Sequence, residues 1–267
     1  MIENRTDWHE DESLFHGAVS RVMGTRLEAL IVHSDTDMLP GLWRDMVSLL
    51  ESMDRIFDRF VPESEVSGIN ARSQDAVDIS PVMEDALRLC GDYYERTLHL
   101  FDVTLGHFRD VTVGAGKVIF RNPMVRLDFG GFAKGYALRS VRRLLAANGV
   151  KNAFVDFGGS SIIGMGHHPY GDCWKVGFDS PETGVRLRDF RLYDSSLSTS
   201  GNTPSYSGHI VNPLTGVANR RKMAATVVAG DSLDAEVLST VWMIASPEQR
   251  RQIAELSADV EANIYEL

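Results

Sequence analysis

Helical and strand patterns follow one another in an irregular order along the chain, and this order limits the fold classes open to it. Apolar residues follow helical spacing in five segments: 39–60, 81–98, 132–148, 233–244 and a shorter one from Pro247. Short apolar or alternating runs between turn-forming residues predict strands: 16–33 (a strand or hairpin), 153–157, 161–165, 173–179, 187–193, 224–229 and 260–265. Because strands and helices do not alternate strictly, as they would in a parallel βαβ sheet, the sequence predicts an α+β protein.

The length of the chain allows one or two domains. It has 267 residues, and a domain averages about 150. No segment has the composition of a linker, so we expect a single domain over residues 1–267, divided into two lobes. The start of the chain is polar and acidic, and we expect residues 1–15 to form a flexible extension.

Charge and cysteine content exclude several classes of function. The chain has 27 Lys and Arg against 37 Asp and Glu, a formal net charge of −10, which argues against a nucleic-acid or anionic-membrane surface. Two cysteines, Cys90 and Cys173, are too few for a disulfide framework. There is no long apolar run and the first residues do not resemble a signal peptide, so we expect no membrane insertion. We expect a cytoplasmic location, with an exported form trimmed at its N-terminus as the alternative.

Two predicted strands end in the sequence Asp-Phe-Gly-Gly, at 128–131 and 156–159. The first pair of glycines precedes a helix that carries Lys134 in its first turn. Free backbone amides at a helix N-terminus, beside an ammonium group, are typical of a phosphate site. A tight strand-to-helix turn with a surface lysine fits the same residues. At the second pair, Gly158 and Gly159 permit close approach of a ligand or another chain segment.

Two later segments are rich in polar side chains. Residues 198–202 read Ser-Thr-Ser-Gly-Asn, which we expect on a loop. Residues 208–216 read Gly-His-Ile-Val-Asn-Pro-Leu-Thr-Gly, a pattern typical of a strand followed by a turn, with His209 at the strand start.

Taken with residues 23–25, 60–70 and 97–104, these segments resemble the FAD:protein FMN transferase (ApbE) family in order and spacing. The resemblance implies a two-lobed domain of mixed, largely antiparallel sheets with flanking helices. It also implies that FAD binds between the lobes with Mg²⁺ on its pyrophosphate. FMN would then pass to a Ser or Thr of an acceptor protein, with release of AMP.

The resemblance assigns roles to individual residues. It implies that His209 is the catalytic base and that Lys134 neutralises a phosphate. It implies a metal site at Gly131, Glu236 and Thr240. The residues implied in binding the flavin cofactor are Met23, Phe60, Asp102, Gly130, Gly131, Lys134, Gly158, Gly159, Thr199, Ser200 and His209.

The chain departs from the family pattern at three positions where an aspartate is usual: Glu236, Asn212 and Arg139. Glu236 and Thr240 still share one helix face, and Asp234 is either a substitute ligand or part of a helix cap with Asp231. Three functions therefore remain open. They are flavin transfer, hydrolysis of FAD to FMN and AMP, and flavin binding without catalysis by a homologue with a degraded metal site.

Overall fold

An eight-stranded antiparallel sheet dominates the computed structural model, which describes residues 3–9, 13–72, 76–202, 207–257 and 259–267. The strands are β1 (Glu3–His9), β2 (Leu14–Val22), β3 (Thr25–Val32), β4 (Val77–Asp78), β5 (Val111–Gly114), β6 (Lys117–Phe120), β7 (Asn152–Phe157), β8 (Ser161–Met165), β9 (Trp174–Asp179), β10 (Arg186–Leu192), β11 (Ser195–Gly201), β12 (Val211–Asn212), β13 (Val217–Ala218), β14 (Met223–Ala229) and β15 (Glu261–Glu266). The large sheet has the order β1-β2-β3-β7-β8-β11-β14-β15, and each neighbouring pair is antiparallel.

Three small sheets accompany the large one and have the orders β4-β6-β5, β9-β10 and β12-β13. The α-helices in the described part of the chain are α1 (Leu39–Phe57), α2 (Glu65–Ala71), α3 (Pro81–Arg96), α4 (Ala133–Ala147), α5 (Ser232–Trp242) and α6 (Pro247–Glu255). Helices α1, α4 and α5 pack on the large sheet, and α3 packs on β5. The prediction of an α+β fold with largely antiparallel sheets is confirmed. Within the described ranges, no helix is both long and apolar enough to cross a bilayer.

The helices begin close to where the sequence predicts. The Ser80 hydroxyl accepts a hydrogen bond from the Met83 amide at 3.1 Å, as expected for the cap of α3. Ser246 and Gln249 form a capping box at the start of α6. The predicted helix over 39–60 ends three residues early, because α1 stops at Phe57 and a turn leads to the unpredicted α2.

The prediction that residues 1–15 form a flexible extension is wrong for Glu3–His9. These residues form β1, an edge strand paired antiparallel with β2. The Trp43 side chain in α1 also donates a hydrogen bond from its ring nitrogen to Asn4 at 2.7 Å. An acidic, polar composition is typical of an edge strand that faces solvent, and such a strand has no apolar alternation to reveal it.

The prediction of a loop over residues 198–202 is also wrong, because Ser195–Gly201 is a strand in the interior of the large sheet. β11 pairs with β8 on one side and with β14 on the other. Ser198 and Ser200 face α5, whereas Leu197 packs in a second core on the opposite face with Trp174 and Phe190 of the β9-β10 hairpin. These two serines are accommodated in a buried strand because Glu236 and Ser239 of α5 provide hydrogen-bond partners for them.

Helices α4 and α5 cross at a glycine. A Cβ added at Gly135 would lie 2.6 Å from the Glu236 Cβ and 2.8 Å from the Ser232 carbonyl oxygen. Ser232 in turn donates its hydroxyl to the Gly135 carbonyl at 2.8 Å. The backbones of the two helices therefore approach more closely than any other side chain allows, and this approach carries Glu236 towards Lys134.

We predict that Gly135→Ala destabilises the protein, although alanine is the better helix former. Overpacking at the crossing is expected to lower the free energy of unfolding by about 1–3 kcal/mol. Thermal or urea denaturation measures the loss. Gly68→Ala in α2 is the matched control, because no atom of the described residues outside the helix backbone lies within 4 Å of the added Cβ. It should be neutral or stabilising by up to about 1 kcal/mol. Equal stability of the two variants would contradict the close crossing.

Candidate functional site

A pocket of about 180 Å³ lies between the end of α1 and the start of α4. We call it the first pocket. Its lining residues are Met23, Gly24, Asp54, Phe57, Asp58, Arg59, Phe60, Asp128, Phe129, Gly130, Ala133 and Lys134. Four residues predicted to bind the cofactor, from three distant parts of the sequence, are among them: Met23, Phe60, Gly130 and Lys134.

The side of the first pocket near the β2-β3 turn is held by backbone contacts. Met23 has a positive φ of 47°, and its amide donates to the Asp54 carboxylate at 2.9 Å. Burial raises the pKa of this aspartate.

Phe60 stands at the rim of the first pocket with 79% of its surface exposed, and the Arg59 guanidinium lies 4.6 Å from its ring centroid. An exposed aromatic ring at the mouth of a pocket is a surface on which a flat ring system can stack.

A larger, more polar pocket of about 460 Å³ adjoins the first. The two share Arg59 and Asp128, whose side chains form an ion pair at 3.3 Å between Nε and Oδ2. Both side chains of the pair are partly exposed, and an exposed ion pair contributes little free energy. The contact that separates the pockets can therefore be rearranged by a ligand at little cost. A single ligand of dinucleotide size is long enough to occupy both.

Lys134 connects the first pocket to the interior. Its ammonium donates to the Ser160 hydroxyl at 2.5 Å and to the Ser161 hydroxyl at 2.8 Å, and it lies 3.4 Å from Glu236 Oε1. The side chain lines the pocket and is 23% exposed. The lysine is therefore a pocket residue with its charge directed at a buried carboxylate, which the surface-lysine interpretation of the turn does not describe.

The Glu236 carboxylate lies in a cluster of hydroxyl groups from β8, β11 and α5. Its Oε2 accepts hydrogen bonds from Ser161 at 2.6 Å and from Ser198 at 2.9 Å. The hydroxyl of Ser239 lies 3.1 Å from that of Ser198 and 2.8 Å from that of Ser200. We call this group the hydroxyl cluster; it comprises Ser160, Ser161, Ser198, Ser200, Ser239 and Thr240.

The three predicted metal-binding residues meet beside this cluster. Glu236 and Thr240 are one turn apart on α5, and a Cβ added at Gly131 would lie 2.9 Å from the Thr240 hydroxyl oxygen. The absence of a side chain at Gly131 lets its backbone lie against the Thr240 hydroxyl. Glu236 and Thr240 offer hard oxygen donors, the kind that Mg²⁺ prefers. In the part of the chain that the structure describes, no group of three or more His, Cys, Asp or Glu residues is placed to hold a metal. The metal site therefore remains a prediction, and its protein ligands would be one carboxylate and neutral oxygens.

The second glycine pair places β11 next to the lysine. Gly158 has a φ of +72°, and a Cβ there would meet the Thr25 hydroxyl at 2.7 Å. The Gly159 amide donates to Asp156, whose pKa is raised by burial. The Thr199 amide donates to the Ser160 carbonyl at 2.7 Å. The turn thus holds Thr199 against Ser160, one of the two kinds of close approach that the sequence leaves open. Cofactor binding by Gly158, Gly159, Thr199 and Ser200 remains a prediction.

Asp102 holds its own loop together. Its Oδ1 accepts from the amide and hydroxyl of Thr104, and its Oδ2 accepts from the Gly106 and Phe108 amides. The carboxylate is buried. Its contribution to cofactor binding remains a prediction, and the observed contacts favour an indirect one, through the Thr104 and Leu105 wall of the second pocket.

His209 lies in the segment before β12, and it is not among the described residues that line either pocket. The segment is anchored through the Gly208 amide, which donates to Asn202 at 3.3 Å. The turn after β12 packs on the Asp102 loop, since a Cβ on Gly106 would meet the Pro213 carbonyl oxygen at 2.9 Å. Burial lowers the pKa of the imidazole. Its role as a base remains a prediction.

Arg139 and Asn212, which stand where the resemblance leads us to expect an aspartate, have local partners. Arg139 donates from Nε to Asp231 at 2.9 Å, and Asp231 caps α5 by accepting from the Leu233 amide. The Asn212 side chain accepts from the Leu214 amide and closes the turn after β12. Asp234 accepts from the Tyr93 hydroxyl at 2.8 Å, so it lies outside the Glu236 contacts and is not a substitute ligand in this arrangement.

Sequence reasoning does not find the residues that complete the site. Ser161, Ser198 and Ser239 surround Glu236, and Arg59 and Asp128 separate the pockets. The serines lie in strands and a helix whose other residues are mostly buried. Because a buried hydroxyl requires a hydrogen-bond partner, this position is the feature by which the sequence could have indicated them.

The sequence is similar to one family of known proteins. The sequence model of the ApbE family matches residues 23–117 and 107–264. A FAD:protein FMN transferase of Chlamydia muridarum is 23% identical over 249 residues, covering 77% of this chain and 76% of that protein. One from Rhodobacter capsulatus is 29% identical over 153 residues, and the match covers 54% of this chain but only 29% of the relative.

Solved structures show the same fold. The flavin transferase ApbE from Vibrio cholerae has a TM-score of 0.81 at 18% identity, covering 98% of this chain and 93% of that one. The ApbE protein of Thermotoga maritima has a TM-score of 0.80 at 19% identity, covering 100% and 97%. The family match extends over most of the chain and includes the segments that line the first pocket and form the hydroxyl cluster. The protein belongs to the ApbE family.

Proposed function

We propose that this protein transfers FMN from FAD to a Ser or Thr hydroxyl of an acceptor protein and releases AMP. The observation that carries the proposal is that one pocket is lined by Met23, Phe60, Gly130 and Lys134. Glu236 lies 3.4 Å from the lysine ammonium, and Thr240 lies against Gly131. Family membership and the names of the relatives support it.

Each part of the first pocket suits one part of FAD. The exposed Phe60 ring offers a stacking surface for the flavin ring. The backbone amides at the start of α4 and the Lys134 ammonium suit the pyrophosphate, because both present positive charge to an anion. The second pocket, which contains Arg59 and Arg126, offers room for the remainder of the dinucleotide.

The residues present fit a magnesium ion. Glu236, Thr240 and Gly131 would hold it through a carboxylate, a hydroxyl and the backbone, with the remaining positions left to phosphate oxygens and water. Bound there, Mg²⁺ withdraws negative charge from the pyrophosphate. Glu236 is longer by one methylene than the aspartate usual in the family. In this fold the extra length lets it reach Ser161 and Ser198.

The transfer requires attack by a hydroxyl oxygen on the phosphorus of the FMN half. The P–O bond to the AMP half breaks, AMP leaves with the electron pair, and the hydroxyl proton goes to a base. We assign that base to His209. Because burial lowers its pKa, the imidazole is neutral and able to accept a proton at neutral pH.

Incubation with FAD, Mg²⁺ and an acceptor domain that a known relative flavinylates tests the function. We expect covalent flavin on the acceptor, seen as a mass increase of FMN less one water, and one AMP per flavin. Reactions without FAD and reactions with the known relative are the controls. Release of AMP and FMN without an adduct would instead identify a FAD hydrolase. Tight FAD binding with neither product would identify a non-catalytic flavin-binding protein.

We predict that Phe60→Ala weakens FAD binding about tenfold, because the flavin ring loses its stacking partner. Titration of protein into FAD, followed by flavin fluorescence, measures the Kd. Phe60→Tyr should retain the affinity. Tyr193→Ala is a control for loss of an exposed aromatic ring away from both pockets. Stability should not change in any of the three. Unchanged affinity in Phe60→Ala would exclude this ring from the flavin site.

The role of His209 predicts a specific pH dependence. The neutral imidazole is the active form, and its pKa is lowered from 6.5, so kcat/KM should be level through neutral pH and fall only below pH 6.5. His209→Gln should lower the rate by about a hundredfold or more and remove this acid limb. His167→Gln, on the exposed turn after β8, is the control. An acid limb that persists in His209→Gln would assign the base to another group.

A further inference from the structure

The Lys134 ammonium has three close partners inside the protein. It donates hydrogen bonds to the Ser160 and Ser161 hydroxyls, and its Nζ forms an ion pair with Glu236 Oε1 at 3.4 Å. The ammonium is therefore the cation that balances the Glu236 carboxylate. No other Lys, Arg or His is described within 4 Å of that carboxylate.

Glu236 requires such a cation. Only 6% of its side-chain surface is exposed, and it is surrounded by backbone and hydroxyl groups without charge. A buried carboxylate with no positive partner is strongly unfavourable, and hydroxyl donors alone compensate only part of the lost hydration. In the absence of ligands, Lys134 supplies the missing charge.

The same carboxylate is the one acidic group in the proposed metal site. A divalent cation at Gly131, Glu236 and Thr240 would lie near the lysine ammonium, and two cations that share one buried carboxylate repel each other. Metal binding is therefore weak as long as Lys134 remains on Glu236.

Lys134 also lines the first pocket, where the proposed function places the pyrophosphate of FAD. A phosphate there gives the ammonium another anionic partner. We propose that Lys134 is a placeholder for the metal: it occupies Glu236 in the free protein and moves to the pyrophosphate when FAD binds, so that FAD and the metal bind cooperatively. The proposal rests on the proposed function. Because coupling is reciprocal, the metal must tighten FAD by the same factor.

Mn²⁺ is a suitable probe, since the EPR signal of the free ion reports binding without any reaction. For the wild-type protein we expect weak Mn²⁺ binding alone and at least about tenfold tighter binding with FAD and no acceptor present. Lys134→Met removes the competing charge and should bind Mn²⁺ alone at least about tenfold more tightly than wild type. The enhancement by FAD should be correspondingly smaller. Chromatography after each titration checks that FAD is intact.

Two further variants identify the cause. Lys134→Arg keeps the charge and should bind Mn²⁺ alone as weakly as wild type. Lys117→Met removes an exposed lysine paired with Asp78 and should change nothing. If Lys134→Met is too unstable to titrate, the thermal shift that Mn²⁺ causes in wild type and Lys134→Arg is a second test. The shift should be small without FAD and large with FAD in both proteins, and a large shift without FAD in either contradicts the proposal.

Failure of the inference is distinguishable from failure of the proposed metal site. Equal Mn²⁺ affinity of wild type and Lys134→Met, with binding abolished by Glu236→Gln, would overturn the placeholder role and leave the site in place. Mn²⁺ binding that survives Glu236→Gln, or is absent in every protein with and without FAD, would overturn both. Binding that is weak in wild type, tight in Lys134→Met and lost in Glu236→Gln supports both.

Discussion

The pairing of the buried Glu236 carboxylate with its hydroxyl donors and the Lys134 ammonium holds the site together. One oxygen accepts two serine hydroxyls from neighbouring strands, and the other faces the Lys134 ammonium. A charge with so little exposure is tolerated only where every lone pair is directed at a donor. The serines of β8 and β11 therefore follow from the position of one glutamate on α5, and they determine which face of the sheet is polar.

Close helix packing makes this arrangement possible. Gly135 lets α4 and α5 approach until their backbones nearly touch, and Gly131 lets the chain before α4 lie directly against Thr240. The ion pair of Arg139 with Asp231 joins the same two helices at the start of α5. An arginine at a position that is usually acidic in the family thus has a structural partner in this chain. The departures from the family pattern are accommodated by local contacts, and the pocket, the lysine and the carboxylate remain together.

The sequence reveals elements whose burial leaves a periodic pattern. α1, α3 and α4 have one apolar face, and β7, β8 and β14 are short apolar runs, so their bounds follow from spacing and caps. β1 and β11 do not show such a pattern. β1 faces solvent, and β11 carries Ser198 and Ser200 because this face of the strand meets the polar side of α5. A strand buried against hydroxyl groups has the composition of a loop.

For the site, the sequence alone is sufficient to recognise the family, because the glycine pairs, Lys134, His209, and the Glu236 and Thr240 pair follow the family's order and spacing. It does not reveal which of these residues share a pocket, that Asp102 binds its own loop, or that Lys134 is paired with Glu236, and these facts come from the folded structure. The reason is physical: spacing within a helix or turn is local, whereas the partner of a buried charge is set by how distant segments pack.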